Sequence, residues 1–150
     1  MIKEGAKAPP FSLPSDKGET VSLKDFKGKT VVLYFYPKDM TPGCTIEACD
    51  FRDSLARFKR KNAVILGVSR DSVARHEKFR DKYELNFPLL ADDDGEVCKA
   101  YGTWKEKSLY GRKFMGIERT TVVIDPQGKI QSIFSKVKVK GHADAVLEAI

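Results

Sequence analysis

The chain has 150 residues, a length that suits one domain burying roughly 70% of the surface its unfolded form would expose, with no disulfide or metal needed to hold it. Its 41% hydrophobic and 32% charged content is that of a soluble globular protein, and no apolar run approaches the ~20 residues of a membrane span. The net charge of +6 arises from 27 basic residues interspersed with 21 acidic ones, so no basic stripe or nucleic-acid motif marks a nucleic-acid binder.

The opening Met1-Ile-Lys-Glu-Gly-Ala-Lys7 is polar and carries no secretory signal, which makes the cytoplasm the expected location. Phe11 to Pro14, a turn at Ser15 to Gly18 and Thr20 to Leu23 predict a short hairpin on the flank of the domain. Thr30 to Tyr36 is almost wholly apolar and β-prone, as befits a strand covered on both faces. A helix from about Pro42 to Lys59 follows, then a second buried strand, Ala63 to Ser69, completing a βαβ unit.

The next helix is expected over about Ser72 to Tyr83 with Asp71 as its cap, then a strand at Phe87 to Leu90 and a brief helix from Glu96 to Tyr101. Gly102 to Gly116 shows little periodicity and reads as a long loop or irregular flap carrying Trp104, Tyr110, Phe114 and Met115. Those aromatics are expected to fold over the flap's own core, and pocket lining, reductant docking or a dimer contact are the other uses open to them. Arg119 to Ile124 and Lys129 to Ser135 read as strands around a turn at Asp125 to Gly128, with a terminal helix from Ala143 to Ile150. Lys136-Val-Lys138-Val-Lys140 alternates like the exposed face of an edge strand. A βαβ unit followed by a ββα unit gives an α/β, thioredoxin-like domain, a central mixed sheet flanked by helices with an N-terminal hairpin.

Chemistry concentrates where the first buried strand hands over to its helix. Thr41 is a good N-cap, Pro42 suits the first helical position, and Cys44 falls at the third. Unpaired N–H groups and the positive end of the helix dipole favour an anion there, so the Cys44 thiolate is expected to be favoured and its pKa lowered. Cys44 lies one helical repeat before the stripe Ala48, Phe51, Leu55 and Phe58 and so points inward. Cys49 sits further round the helix with its Cα about 8.6 Å from that of Cys44 by helical rise and radius. A disulfide usually needs less than about 7 Å, so a bridge between them requires the first turns to unwind. Three cysteines, an odd number, favour redox chemistry over stapling. Cys98 reads as a structural thiol. His76 and His142 read as helix-surface residues, and the Cys-x4-Cys spacing with no second cysteine pair makes a zinc site unexpected.

Pro37, Thr41 and Cys44 reproduce the Pro-x-x-x-Thr-x-x-Cys motif of peroxiredoxins. The stretches Leu33 to Asp39, Thr41 to Thr45, Phe87 to Leu90, Glu118 to Thr121 and Lys138 to His142 with their neighbours resemble the peroxiredoxin Q group, also called bacterioferritin-comigratory proteins, and the likeness covers nearly the whole chain. The resemblance implies the same thioredoxin-like fold. It implies a thiol peroxidase acting on hydrogen peroxide and organic hydroperoxides, with Cys44 as nucleophile and Cys49 as resolving thiol. Thr41 and Arg119 would contact the peroxide oxygens, Pro37 would close the pocket, and Glu47 would orient the arginine. Arg119 has Glu118 and Asp125 as alternative local partners. The resemblance implies recycling by thioredoxin or a similar dithiol protein, no metal, haem or flavin, and a protein that is often monomeric. The alternatives on the same fold are a thiol-disulfide oxidoreductase, although those usually use a Cys-x-x-Cys that the chain lacks, and a redox-switched binding protein as the non-enzymatic rival.

Overall fold

The computed structural model describes residues 2–150; Met1, the first residue of the polar opening, lies outside them. The N-terminal hairpin pairs β1 (Ser12–Pro14) with β2 (Thr20–Ser22), and a 3-10 turn at Leu23–Phe26 leads to β3 (Thr30–Phe35). Then come α1 (Pro42–Arg60), β4 (Ala63–Ser69), α2 (Val73–Tyr83), β5 (Leu89–Ala91) and α3 (Glu96–Ala100). The chain ends with β6 (Trp104–Leu109), β7 (Arg112–Ile117), β8 (Thr120–Ile124), β9 (Ile130–Phe134) and α4 (His142–Glu148).

Five strands form one mixed sheet in the order β5-β4-β3-β8-β9, with β3, β4 and β5 parallel and β8 and β9 antiparallel. Because successive side chains of a strand point to opposite faces, the wholly buried β3 feeds two cores at once. Val32, Tyr34 and Tyr36 pack with α1, α2 and α4, while Val31, Leu33 and Phe35 pack with the N-terminal segment, α3 and Ile117. This is the thioredoxin-like arrangement expected of the chain.

Four local expectations are corrected. Gly102 to Gly116 is not an irregular flap but the antiparallel hairpin β6–β7, paired from Trp104 with Ile117 to Leu109 with Arg112. Tyr110 (φ 51) and Gly111 (φ 79) both adopt left-handed backbone, as a tight two-residue hairpin turn requires. Most of the ribbon buries neither face, so no alternation of apolar and polar residues betrayed it. Lys136 to Lys140 is a loop rather than an edge strand: Lys136 turns left-handed (φ 48) and breaks the extension. Ser72, not Asp71, caps α2, its side chain accepting from the Arg75 N–H at 3.2 Å. Finally, His76 and His142 are buried in the helix–sheet core rather than set on the helix surface.

Candidate active site

The β3–α1 junction has the local form its residues dictate. Thr41 is the N-cap and Pro42 the first residue of α1. Cys44 is 1% exposed and joins Ala48, Phe51, Leu55 and Phe58 in the core beneath the helix. The Thr41 hydroxyl does not cap the helix, however, but donates to the Lys38 carbonyl at 2.8 Å. Among the described residues, no acceptor meets the backbone N–H of Gly43 or of Cys44. Two donors are therefore left free at the positive end of the helix.

Arg119 reaches this turn from the neighbouring strand of the sheet. The antiparallel register of β3 and β8 sets Phe35 opposite Thr120, so the residue before β8 stands beside the chain as it leaves β3. Its Nη2 donates to Cys44 Sγ at 3.3 Å and its Nη1 to Glu47 Oε1 at 2.5 Å. Neither local alternative holds it: Glu118 pairs with Lys105 at 3.0 Å, and Asp125 accepts from the N–H groups of Gln127 and Lys129. The loop after β9 pins the backbone as well, Val137 N–H donating to the Arg119 carbonyl.

Glu47 lies one turn after Cys44 and is buried. Burial pushes its carboxyl up to about 7 against the pull of Arg119, and its second oxygen has no hydrogen-bond partner. Gly43 is the spacer that admits the guanidinium, since a Cβ there would lie 3.2 Å from Arg119 Nη2. Cys49 is half-buried on the same helix, and all three cysteines are free thiols. Cys98 is fully buried, with its thiol pushed well above the usual range by burial and by Asp92, as befits a packing residue.

Beside the turn, Pro37, Lys38, Arg70, Trp104, Lys107 and Phe114 line a cleft of about 390 Å³ between the β3–α1 loop and the β6–β7 hairpin. Cys44 and Arg119 lie next to this cleft rather than among its lining residues, with Cys44 1% exposed and the Arg119 side chain 16% exposed. The hairpin aromatics do not fold over a core of their own: Tyr110 is 96% exposed and Phe114 and Met115 are also exposed. Trp104 alone is half-buried, with the Arg70 guanidinium 4.7 Å above its ring.

Sequence reasoning missed two buried histidines here. His142 Nε2 shares a 2.7 Å hydrogen bond with Thr121 Oγ1, and burial together with the nearby Arg119 lowers its pKa to about 4. His76 binds Asp39 at the heart of the β3–α1 loop. The sequence signs of His142 were its place just after Gly141, at the start of the last helix, and its inclusion in the stretch Lys138 to His142 that carries the family resemblance.

A model of the AhpC/TSA family matches residues 5–133. The chain is 52% identical over 149 residues to peroxiredoxin Bcp of Bacillus subtilis, covering 99% of this chain and 95% of that protein. It is 46% identical over 146 residues to peroxiredoxin Bcp of Escherichia coli K12, covering 97% and 94%. A structure of the Xanthomonas campestris bacterioferritin comigratory protein, described for its alkyl peroxide reduction activity, superposes with a TM-score of 0.91 at 43% identity over 98% of this chain and 96% of that one. A variant of Xylella fastidiosa PrxQ superposes with a TM-score of 0.94 at 39% identity, covering 99% and 94%.

Proposed function

The chain belongs to the AhpC/TSA family as a peroxiredoxin, a thiol-dependent peroxidase, and on that premise we propose that it reduces hydrogen peroxide and alkyl hydroperoxides through Cys44. The observation that carries this reading is the guanidinium of Arg119, clamped by Glu47 and donating to Cys44 Sγ at 3.3 Å.

The thiolate of Cys44 attacks the terminal peroxide oxygen. An S–O bond forms, the O–O bond breaks, and the departing oxygen takes a proton and leaves as water or an alcohol. Forming the thiolate is not the main source of rate, because a thiol's nucleophilicity falls with its basicity. The larger contribution comes from donors set in place before charge moves onto the oxygen. Arg119 and the free N–H groups of Gly43 and Cys44 are those donors. Thr41, whose proton is engaged on Lys38, offers lone pairs that can accept from the hydroperoxide O–H. Glu47 orients Arg119, and Pro37 shields the sulfenic acid from the water of the cleft.

Cys49 then condenses with the sulfenic acid: an S–S bond forms and water leaves. The first turns of α1 must open for this, since both cysteines are held in one continuous helix. A dithiol protein of the thioredoxin type supplies the two electrons that restore both thiols. The testing experiment is mass spectrometry after one equivalent of hydrogen peroxide. A Cys44 to Cys49 link is the expected product, and an unmodified Cys44 would overturn the reading.

A further inference from the structure

Asp39 lies in the loop between β3 and α1, two residues after Pro37 and two before Thr41, and every polar group it owns is engaged. Its N–H donates to Asp71 Oδ2 at 2.8 Å, and its carbonyl accepts from Arg75 Nη2 at 3.3 Å. Tyr36 OH donates to its Oδ1 at 2.6 Å, and His76 Nδ1 lies 2.6 Å from its Oδ2. Asp71 is itself held by Ser69 Oγ at 2.6 Å and by Arg75 Nε at 3.1 Å.

His76 faces acceptors with both ring nitrogens, since Nε2 sits 2.9 Å from the Leu90 carbonyl of β5. Both must carry protons, which makes the ring an imidazolium paired with the Asp39 carboxylate inside the protein. Burial works against that charge, but Asp39 and the Leu90 carbonyl outweigh it, and the net shift of His76 is upward. Asp39, Asp71 and His76 bring ligand atoms within 4.8 Å of one another, as a cation site would. The positions a cation would fill are taken by the protons of His76, Tyr36 and Arg75.

This anchoring meets a strained neighbour. Met40 adopts left-handed backbone at φ 65, a conformation costing about 1 kcal/mol or more for a residue with a Cβ and kept only where surroundings impose it. The bend at Met40 brings Thr41 back so that its hydroxyl reaches the Lys38 carbonyl. Asp39 thus fixes the loop upstream of the bend and α1 fixes it downstream.

We propose that His76 and Asp39 form a clamp that positions Thr41 and Pro37 for the attack on peroxide. His76 is a positioning residue: it touches neither sulfur nor substrate and acts through Asp39. This inference rests on the reading of Cys44 as the peroxide-reactive thiol.

The test compares wild type, His76→Leu, His76→Asn and Tyr36→Phe in two reactions of Cys44, oxidation by hydrogen peroxide and alkylation by iodoacetamide. Alkylation reads access to the thiolate and needs no alignment by Thr41. His76→Leu is expected to slow oxidation by about tenfold or more while leaving alkylation within about threefold, since small misplacements of reacting groups cost that much. His76→Asn, whose amide can donate to Asp39, is expected to recover most of the loss. Equal slowing of both reactions, an unchanged oxidation rate in His76→Leu, or no recovery in His76→Asn would overturn the clamp. Should His76→Leu fail to fold, the shape-preserving Tyr36→Phe decides: a severalfold selective loss supports the clamp and a wild-type rate overturns it. If wild type itself does not react with peroxide, the peroxidase reading fails; a reactive wild type with unaffected variants removes the clamp alone.

Discussion

Arg119 meets Cys44 across a sequence separation of 75 residues, its Nη2 3.3 Å from the sulfur, while its other terminal nitrogen is held by Glu47. A donor held this firmly before reaction needs no reorganisation when charge develops on the departing oxygen. Replacing Arg119 by Met is therefore expected to lower the rate constant for peroxide by about 10²–10³, or about 2.7–4 kcal/mol, with the fold retained. Stopped-flow oxidation of Cys44 beside a circular dichroism spectrum checks this, and an unchanged rate constant would remove Arg119 from the mechanism.

Gly43→Ala separates stability from chemistry. Alanine is favoured over glycine inside a helix by up to about 1 kcal/mol, so the variant is expected to melt no lower than wild type. The added Cβ would stand 3.2 Å from Arg119 Nη2 and press the guanidinium off the sulfur. Oxidation by peroxide should slow by about tenfold or more. A variant as fast as wild type would show that the guanidinium has room the geometry does not suggest.

Cys49→Ser tests the second half of the cycle. The first oxidation should proceed normally, because Cys49 makes no contact with the reacting sulfur in the helical form. No intramolecular disulfide should then form, and excess peroxide should carry Cys44 on to sulfinic acid. Intact-mass measurement distinguishes these products. Turnover that persists until Cys98 is also replaced would name Cys98 as the resolving thiol.

Glu47 and His142 give opposite pH signatures. The Glu47 carboxyl is raised from 4.5 to about 7, so the folded state holds a proton the unfolded chain releases; that contribution is complete below 4.5 and lost as pH rises through 7. The His142 ring is lowered from 6.5 to about 4, so its contribution is complete above 6.5 and lost as pH falls through 4. In wild type the two slopes oppose each other across the shared window. Glu47→Gln should gain stability relative to wild type as pH rises from 5 to 7.5, by up to about 3 kcal/mol at 1.36 kcal/mol per pKa unit. His142→Gln should gain relative to wild type as pH falls from 6.5 toward 4. Urea unfolding at stepped pH measures both, and curves parallel to wild type would refute the assignments.

The junction of strand and helix was legible because its determinants are neighbours in the chain. Thr41 and Pro42 start α1, the spacing of Ala48, Phe51, Leu55 and Phe58 turns Cys44 inward, and the unbroken apolar run of β3 announces burial on both faces. The hairpin β6–β7 was not legible, because a ribbon exposed on both faces leaves no period to read, and its turn relies on Tyr110 in an uncommon left-handed conformation. The histidines misled for a related reason. In α2 only His76 and Phe79 are buried, so the pattern around them is that of a solvated helix.

Local residue chemistry was enough to place an inward-pointing cysteine at the head of a helix with one buried face, since caps and periodicity act within a few residues of one another. The groups that meet that cysteine answer to sheet order instead. Setting β3 between β4 and β8 brings the approach to β8 beside the exit of β3, and with it Arg119 to Cys44. The same packing sets α2 under the β3–α1 loop, where His76 finds Asp39. Such pairings depend on which strands lie side by side in space, and that information is spread over the whole chain.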